Sequence, residues 1–161
     1  MAKKVADQLV DTLEKAGVRR IYAVTGDSLN EVNEAVRKNG RLRWIHVRHE
    51  ETGAYAAAAE AQLTGELACC AGSSGPGHVH LINGLYDAQR SGARVLAIAS
   101  TIPSREFGTE YFQETNTIKL FDDCSYYNQV SHYAGTISPD ASRRYASGDL
   151  ITWGRGDRTS R

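Results

Sequence analysis

The first hundred residues alternate between helix-like and strand-like spacing of apolar side chains, and this alternation limits the fold more than any other feature. Val5, Leu9, Leu13 and Ala16 recur on one helical face, after which Gly17 offers a stop. Residues 20–25 are mostly apolar, as a short buried parallel strand would be. Gly26-Asp27-Ser28 turns the chain, and Ser28 with Glu31 has the spacing of a capping box for a helix running to about Lys38. A second strand is expected over 42–47, an alanine-rich helix over 50–63 and a third strand over 67–71. A glycine-rich turn over 72–77 then leads into a helix ending near Arg90 and a fourth strand over 95–100. Such repeated units predict an α/β fold, a parallel sheet with helices on both faces.

That domain is expected to occupy residues 1–135. Over 136–161 the periodicity disappears, and Ser, Asp, Gly and Arg gather around isolated Leu150, Ile151 and Trp153. This tail reads as irregular or disordered, leaving the sheet incomplete at its C-terminal edge.

Composition removes several classes of function. Lysine plus arginine equals aspartate plus glutamate, 19 against 19, so no general attraction to nucleic acid is encoded. The charged, amphipathic start is unlike a signal peptide, and no run approaches the roughly 20 apolar residues of a membrane span. Cys69 and Cys70 are adjacent in a strand and should face opposite ways, which suits neither a disulfide framework nor a metal site. A reducing cytoplasm is the expected location.

In open parallel sheets ligands collect beyond the carboxyl ends of the strands. Three segments belong there: Val24-Thr25-Gly26-Asp27, Arg48-His49-Glu50-Glu51 and the loop 72–77. The loop reads G-x-x-G-x-G, which is neither the dinucleotide fingerprint nor a P-loop. Pro76 removes an amide donor and stiffens the turn, which favours contact with a flat ring over the wrapping of phosphate. Glu50 opens an apolar helix, so it is either a dipole-favoured N-terminal acid or a catalytic group. His49 alone reads as structural. His78 and His80, two residues apart, do not face one metal on a helix, and no metal site is expected.

The segments VTGDSLN (24–30), RHEE (48–51), AEAQLTGELACCAGSSGPGHVHLINGLYDA (59–88), VLAIAS (95–100) and YFQET (111–115) resemble the N-terminal pyrimidine-binding domain of thiamine-diphosphate enzymes of the pyruvate oxidase type. These enzymes, also called pyruvate dehydrogenase (quinone), belong with acetolactate synthases and 2-oxoacid decarboxylases. RHE with GxxGPG marks the superfamily, while TGDSLN and YFQET favour pyruvate oxidase within it.

The resemblance implies a role for each matching residue. Glu50 would hydrogen-bond N1′ of the cofactor's aminopyrimidine and so favour the tautomer that takes the C2 proton. That role needs a dry, apolar setting, which the alanine-rich helix would supply. Ser74, Pro76 and Gly77 would line the pyrimidine, with Asn83 nearby. Thr25, Gly26 and Asp27 would face the reacting carbon on a neighbouring subunit, and Phe112 and Gln113 would lie beside it. Gln113 would donate to a developing oxyanion.

By the same resemblance, the diphosphate and its magnesium would need a second domain, and FAD a third. No matching Gly-Asp-Gly motif follows here, and the loss of pattern after about Tyr133 resembles a truncated or frameshifted reading frame. Arg94 stands where the family commonly has proline, and His78 where it has a small or amide residue. The expectation is thus a pyruvate-decarboxylating enzyme's pyrimidine half, inactive alone. Its partners would be the missing domains of the parent enzyme or further copies in a homo-oligomer. Alternatives are an acetolactate synthase or decarboxylase domain, a split enzyme completed by a second chain, and a noncatalytic interaction module.

Overall fold

The computed structural model describes residues 4–130 and 149–153. Four parallel strands form its centre: β1 (Arg20–Ala23), β2 (Arg43–His46), β3 (Ala68–Gly72) and β4 (Val95–Ser100). Between them run α1 (Val5–Lys15) before β1, α2 (Asn30–Asn39) before β2, α3 (Glu50–Thr64) before β3, and the pair α4 (Pro76–Val79) and α5 (Ile82–Ser91) before β4. The sequence expectation of one helix from the glycine-rich turn to about Arg90 is therefore met by two pieces. α6 (Thr117–Phe121) follows, and then β5 (Tyr127–Val130) and β6 (Asp149–Trp153).

Helices cover both faces, as the alternation predicts. α1 and α2 place Leu9, Leu13, Val32 and Val36 on Ile21, Cys69, Leu96 and Ile98 of one face. α3, α5 and α6 place Ala54, Ala58, Leu85 and Phe121 on Cys70, Val95 and Ala97 of the other. Cys69 and Cys70 do point to opposite sides, and both are fully buried. Burial raises both thiols, Cys70 to about 12 and Cys69 well above its ordinary value, so neither is a reactive thiolate near neutral pH.

Two expectations need correction. The loss of periodicity predicts an irregular tail beside an open sheet edge, yet residues 149–153 form β6, antiparallel to β4 and in turn to β5. The full order is β2-β1-β3-β4-β6-β5. A search for strand-helix-strand units passes over such a pair, because antiparallel strands need no crossover helix. Leu150, Ile151 and Trp153, isolated on a helical template, are adjacent enough for a strand. The second correction concerns Ser28. It lies inside a 3-10 turn, Asp27–Leu29, and its hydroxyl caps no helix end. Instead Ser28 Oγ accepts from the amide of Ser74 (3.0 Å) and lies 2.8 Å from Ser73 Oγ. The glycine-rich loop competes for the hydroxyl and wins it.

Among the described residues no helix is long and apolar enough to cross a membrane.

Candidate functional site

Three loops meet at the carboxyl ends of β1, β2 and β3, and glycines let the first and third pack closely. A Cβ on Gly26 would fall 2.3 Å from Ser73 Oγ, and one on Gly72 would fall 2.5 Å from the Gly77 carbonyl oxygen. Gly75 has φ of 68°, a left-handed conformation open to glycine at little cost, and Pro76 follows as the first residue of α4. Ser74 N–H donates to Ser28 Oγ, and just past the loop His78 N–H donates to the Ser73 carbonyl.

Glu50 opens α3 and is 9% exposed, on the alanine-rich side of the sheet. Its Oε2 accepts from Nδ1 of His80 at 2.9 Å. Its Oε1 faces Gly77, where an added Cβ would lie only 3.3 Å away. One carboxylate oxygen is therefore held, and the other looks into space that a missing side chain keeps clear. The helix N-terminus adds its partial positive charge.

His80 stacks on His49 with ring centroids 4.4 Å apart. The comparison of His80 with His78 from their spacing does not find this cluster. It forms because His49, from the loop after β2, and His80, from the joint between α4 and α5, meet over Glu50. No chain spacing encodes that meeting.

The remaining candidates divide into two groups. Ser74 is buried, and its hydroxyl donates to Gln113 Oε1 at 3.2 Å. The backbone and Cβ of Gln113 also pack against Gly75, so YFQET does return to the glycine-rich loop. Asn83, on α5, donates to Glu51 rather than Glu50, at 3.3 Å. Thr25 and Asp27 are exposed on the rim, where Asp27 Oδ1 accepts from the Ser28 amide. Phe112 is 82% exposed, its ring beside Tyr111. It turns outward from the loop that Gln113 touches.

Beneath the rim, Ser100 and His78 tie the loops together, a role their sequence context does not announce. Ser100 Oγ donates to the Ser28 carbonyl at 2.9 Å. His78, 1% exposed, lies with Nδ1 2.8 Å from the Ser100 carbonyl and Nε2 2.6 Å from Thr115 Oγ1. The carbonyl can only accept, so Nδ1 carries the proton and Nε2 accepts from the threonine. The neutral ring satisfies both partners.

A pH dependence of stability follows. Burial holds the His78 pKa below its ordinary value, with the hydrogen bond to Ser100 opposing in part. The unfolded chain then binds this proton more readily than the folded one. Stability is present above about pH 6.5 and is lost as pH falls from there through the folded-state value. Melting temperatures measured between pH 7.5 and 5 should fall for the native chain, and a His78→Gln variant, although less stable at neutral pH, should show a flatter curve. Parallel curves would remove His78 as the cause.

Residues 3–120 match the family described as "Thiamine pyrophosphate enzyme, N-terminal TPP binding domain". The chain is 61% identical over 127 residues to an uncharacterized 42.6 kDa protein of Pseudomonas amyloderamosa, covering 79% of this chain and 32% of that protein. It is 47% identical over 142 residues to a putative thiamine pyrophosphate-containing protein of Bacillus subtilis, covering 87% and 25%. It is 40% identical over 130 residues to a pyruvate oxidase of Lactiplantibacillus plantarum, covering 80% and 22%. The chain thus spans a third or less of the length of these curated relatives.

Proposed function

The chain belongs to the thiamine pyrophosphate enzymes, whose N-terminal TPP-binding domain it carries, and from that premise we propose that Glu50 and the 72–77 loop hold the cofactor's aminopyrimidine. The observation that carries the reading is the Glu50 carboxyl, buried at a strand end, with one oxygen fixed by His80 and the other open toward Gly77. A flat ring fits a cradle that a single Cβ would crowd. The carboxyl can share a proton with a ring nitrogen through Oε1 while Oε2 stays anchored.

Bound thiamine diphosphate supplies the electron sink that 2-oxoacid decarboxylation requires. The protein's own part is orientation and proton placement. Gly26 lets the first loop pack on the Ser73 side chain, Gly72 lets the third loop fold tightly onto Gly77, and Pro76 stiffens the wall. Because Gln113 Oε1 already accepts from Ser74, its amide nitrogen remains to donate toward a developing oxyanion. Asn83 steadies Glu51, next to the carboxyl that does the work.

Within the family the pyruvate oxidase reading is preferred, with pyruvate as substrate. It rests on TGDSLN and YFQET, and on 40% identity to a pyruvate oxidase against 34% over 128 residues to an acetolactate synthase of Arabidopsis thaliana. The diphosphate, magnesium and FAD would be held by further polypeptide, in the parent enzyme or a partner subunit of a homo-oligomer in the cytoplasm. The described residues offer the pyrimidine side only, so this chain alone should not turn over pyruvate.

Saturation-transfer NMR with thiamine tests the binding reading. Saturation should reach the pyrimidine methyl and ring proton more than the thiazolium side chain. Gly77→Val, which fills the space before Glu50 Oε1, should abolish the transfer while leaving the far-ultraviolet circular dichroism unchanged. Transfer that is absent, or that survives Gly77→Val, would contradict the proposal.

A further inference from the structure

We propose that His49, Glu50 and His80 form a site for a borderline divalent cation, with zinc as its best fit. Each offers one ligand atom, and the three atoms all lie within 4.8 Å of one another. In a tetrahedral zinc site, bonds of about 2.0–2.2 Å put neighbouring ligand atoms roughly 3.3 Å apart. His80 Nδ1 and Glu50 Oε2 already stand 2.9 Å apart. The third ligand needs a rotation of the His49 side chain, which is 48% exposed and held only by its stack on His80 and the Glu51 carboxylate 3.9 Å away.

The donor chemistry selects the ion. Two imidazoles and one carboxylate suit zinc and its transition-metal neighbours, whereas calcium and magnesium favour sets made wholly of oxygen. Three protein ligands leave a fourth position for water, and the exposed side of the imidazole pair opens that position to solvent. Charge favours occupancy as well. With neutral imidazoles the set carries the single negative charge of Glu50, and the Glu51 carboxylate adds a second, 3.9 Å from His49 Nδ1. Glu50 is preorganised by burial; zinc would take the place of the His80 Nδ1 proton between ring and carboxylate, so binding mainly orders the half-exposed imidazoles.

The site has a consequence that rests on the pyrimidine reading, although the metal binding itself does not. A Glu50 carboxylate bound to zinc has no proton to share with a ring nitrogen. Zinc and the pyrimidine would exclude one another.

The test is zinc competition between the tag-free chain and a chromophoric chelator, paired with the visible spectrum of the cobalt(II) form. One zinc per chain is expected, with Kd on the order of 1 µM or tighter. Cobalt should give the intense bands of a four-coordinate site. Loss of even a residue that merely supports a ligand commonly costs about 10–100-fold in affinity, so His49→Ala and His80→Ala should each weaken zinc by at least about tenfold. His46→Ala, an exposed histidine on β2 outside the cluster, should leave it unchanged. Circular dichroism confirms that each variant is folded. Where an alanine variant unfolds, His80→Gln and the wild-type cobalt spectrum carry the test. No binding at about 100 µM zinc, or equal affinity in the folded His49 and His80 variants, overturns the proposal. Thiamine saturation transfer measured in excess chelator reads the pyrimidine site separately, so failure of one proposal is distinguishable from failure of the other.

Discussion

Gly84→Val should cost at least about 3 kcal/mol of folding stability, near the upper end of what overpacking usually costs. Gly84 sits on α5 where it crosses α3, and a Cβ there would lie 2.5 Å from Ala54 Cβ, 2.7 Å from the Tyr55 nitrogen and 2.8 Å from the Ala54 carbonyl carbon. Two of those atoms are backbone, so no rotamer change relieves the clash and the helices must separate. Separation would loosen Ala54, Ala57, Ala58, Leu85 and Ala88, which together fill this side of the core. Small residues on both helices allow the close approach, and that approach sets the position of the Glu50 end of α3. With a urea dependence of about 2 kcal/mol/M, the denaturation midpoint should fall by roughly 1.5 M. Gly92→Ala is the informative contrast. Gly92 has φ of 71° and nothing within 4 Å of an added Cβ, so only backbone strain applies, costing roughly 1 kcal/mol. If Gly84→Val moved the midpoint no more than Gly92→Ala, tight helix contact would not be the constraint.

Much of this arrangement could be read from the chain, for reasons that particular residues make plain. The strand at Val95–Ser100 is visible because both its faces are buried, which gives an uninterrupted apolar run. α3 is visible from its alanines, although the same feature weakens the usual one-sided pattern. Glu50 is ambiguous from its position alone, since an acid is favoured at a helix N-terminus, and only the RHEE and GxxGPG resemblance separates a catalytic role from that one. What stayed hidden depends on contacts between distant segments. Ser28 followed by Glu31 satisfies a local capping rule, yet the hydroxyl finds Ser73 and the Ser74 amide across 45 and 46 residues. His80 could be compared along the chain only with His78, which points into the core toward Ser100 and Thr115. Its actual neighbours, Glu50 and His49, lie about thirty residues earlier. β6 is hidden for a different reason: residues 149–153 lack any helical partner in the sequence, and antiparallel pairing with β4 requires none.

Glu50→Gln should separate proton handling from binding. The substitution keeps the shape and length of the side chain, so Gly77 still faces an unbranched group and the pyrimidine cradle stays open. A glutamine oxygen can also still accept from His80 Nδ1, which limits the loss of stability to about 1 kcal/mol for the charge-assisted part of that bond and its helix-dipole contribution. An amide, however, cannot share an acidic proton with a ring nitrogen. In a chimera where this chain replaces the matching segment of the Lactiplantibacillus plantarum pyruvate oxidase, kcat should fall by about 10²–10⁴, the usual worth of positioned acid-base catalysis. The KM for pyruvate should change little, since Glu50 is assigned to the cofactor and not to the substrate. Exchange of the cofactor's C2 proton for deuterium, followed by NMR, should slow in parallel with kcat, and that measurement needs no turnover. Gly77→Val should behave in the opposite sense, losing cofactor affinity first. A Glu50→Gln chimera with wild-type proton exchange would place the proton-transfer group elsewhere and leave Glu50 as the acid that favours the start of α3.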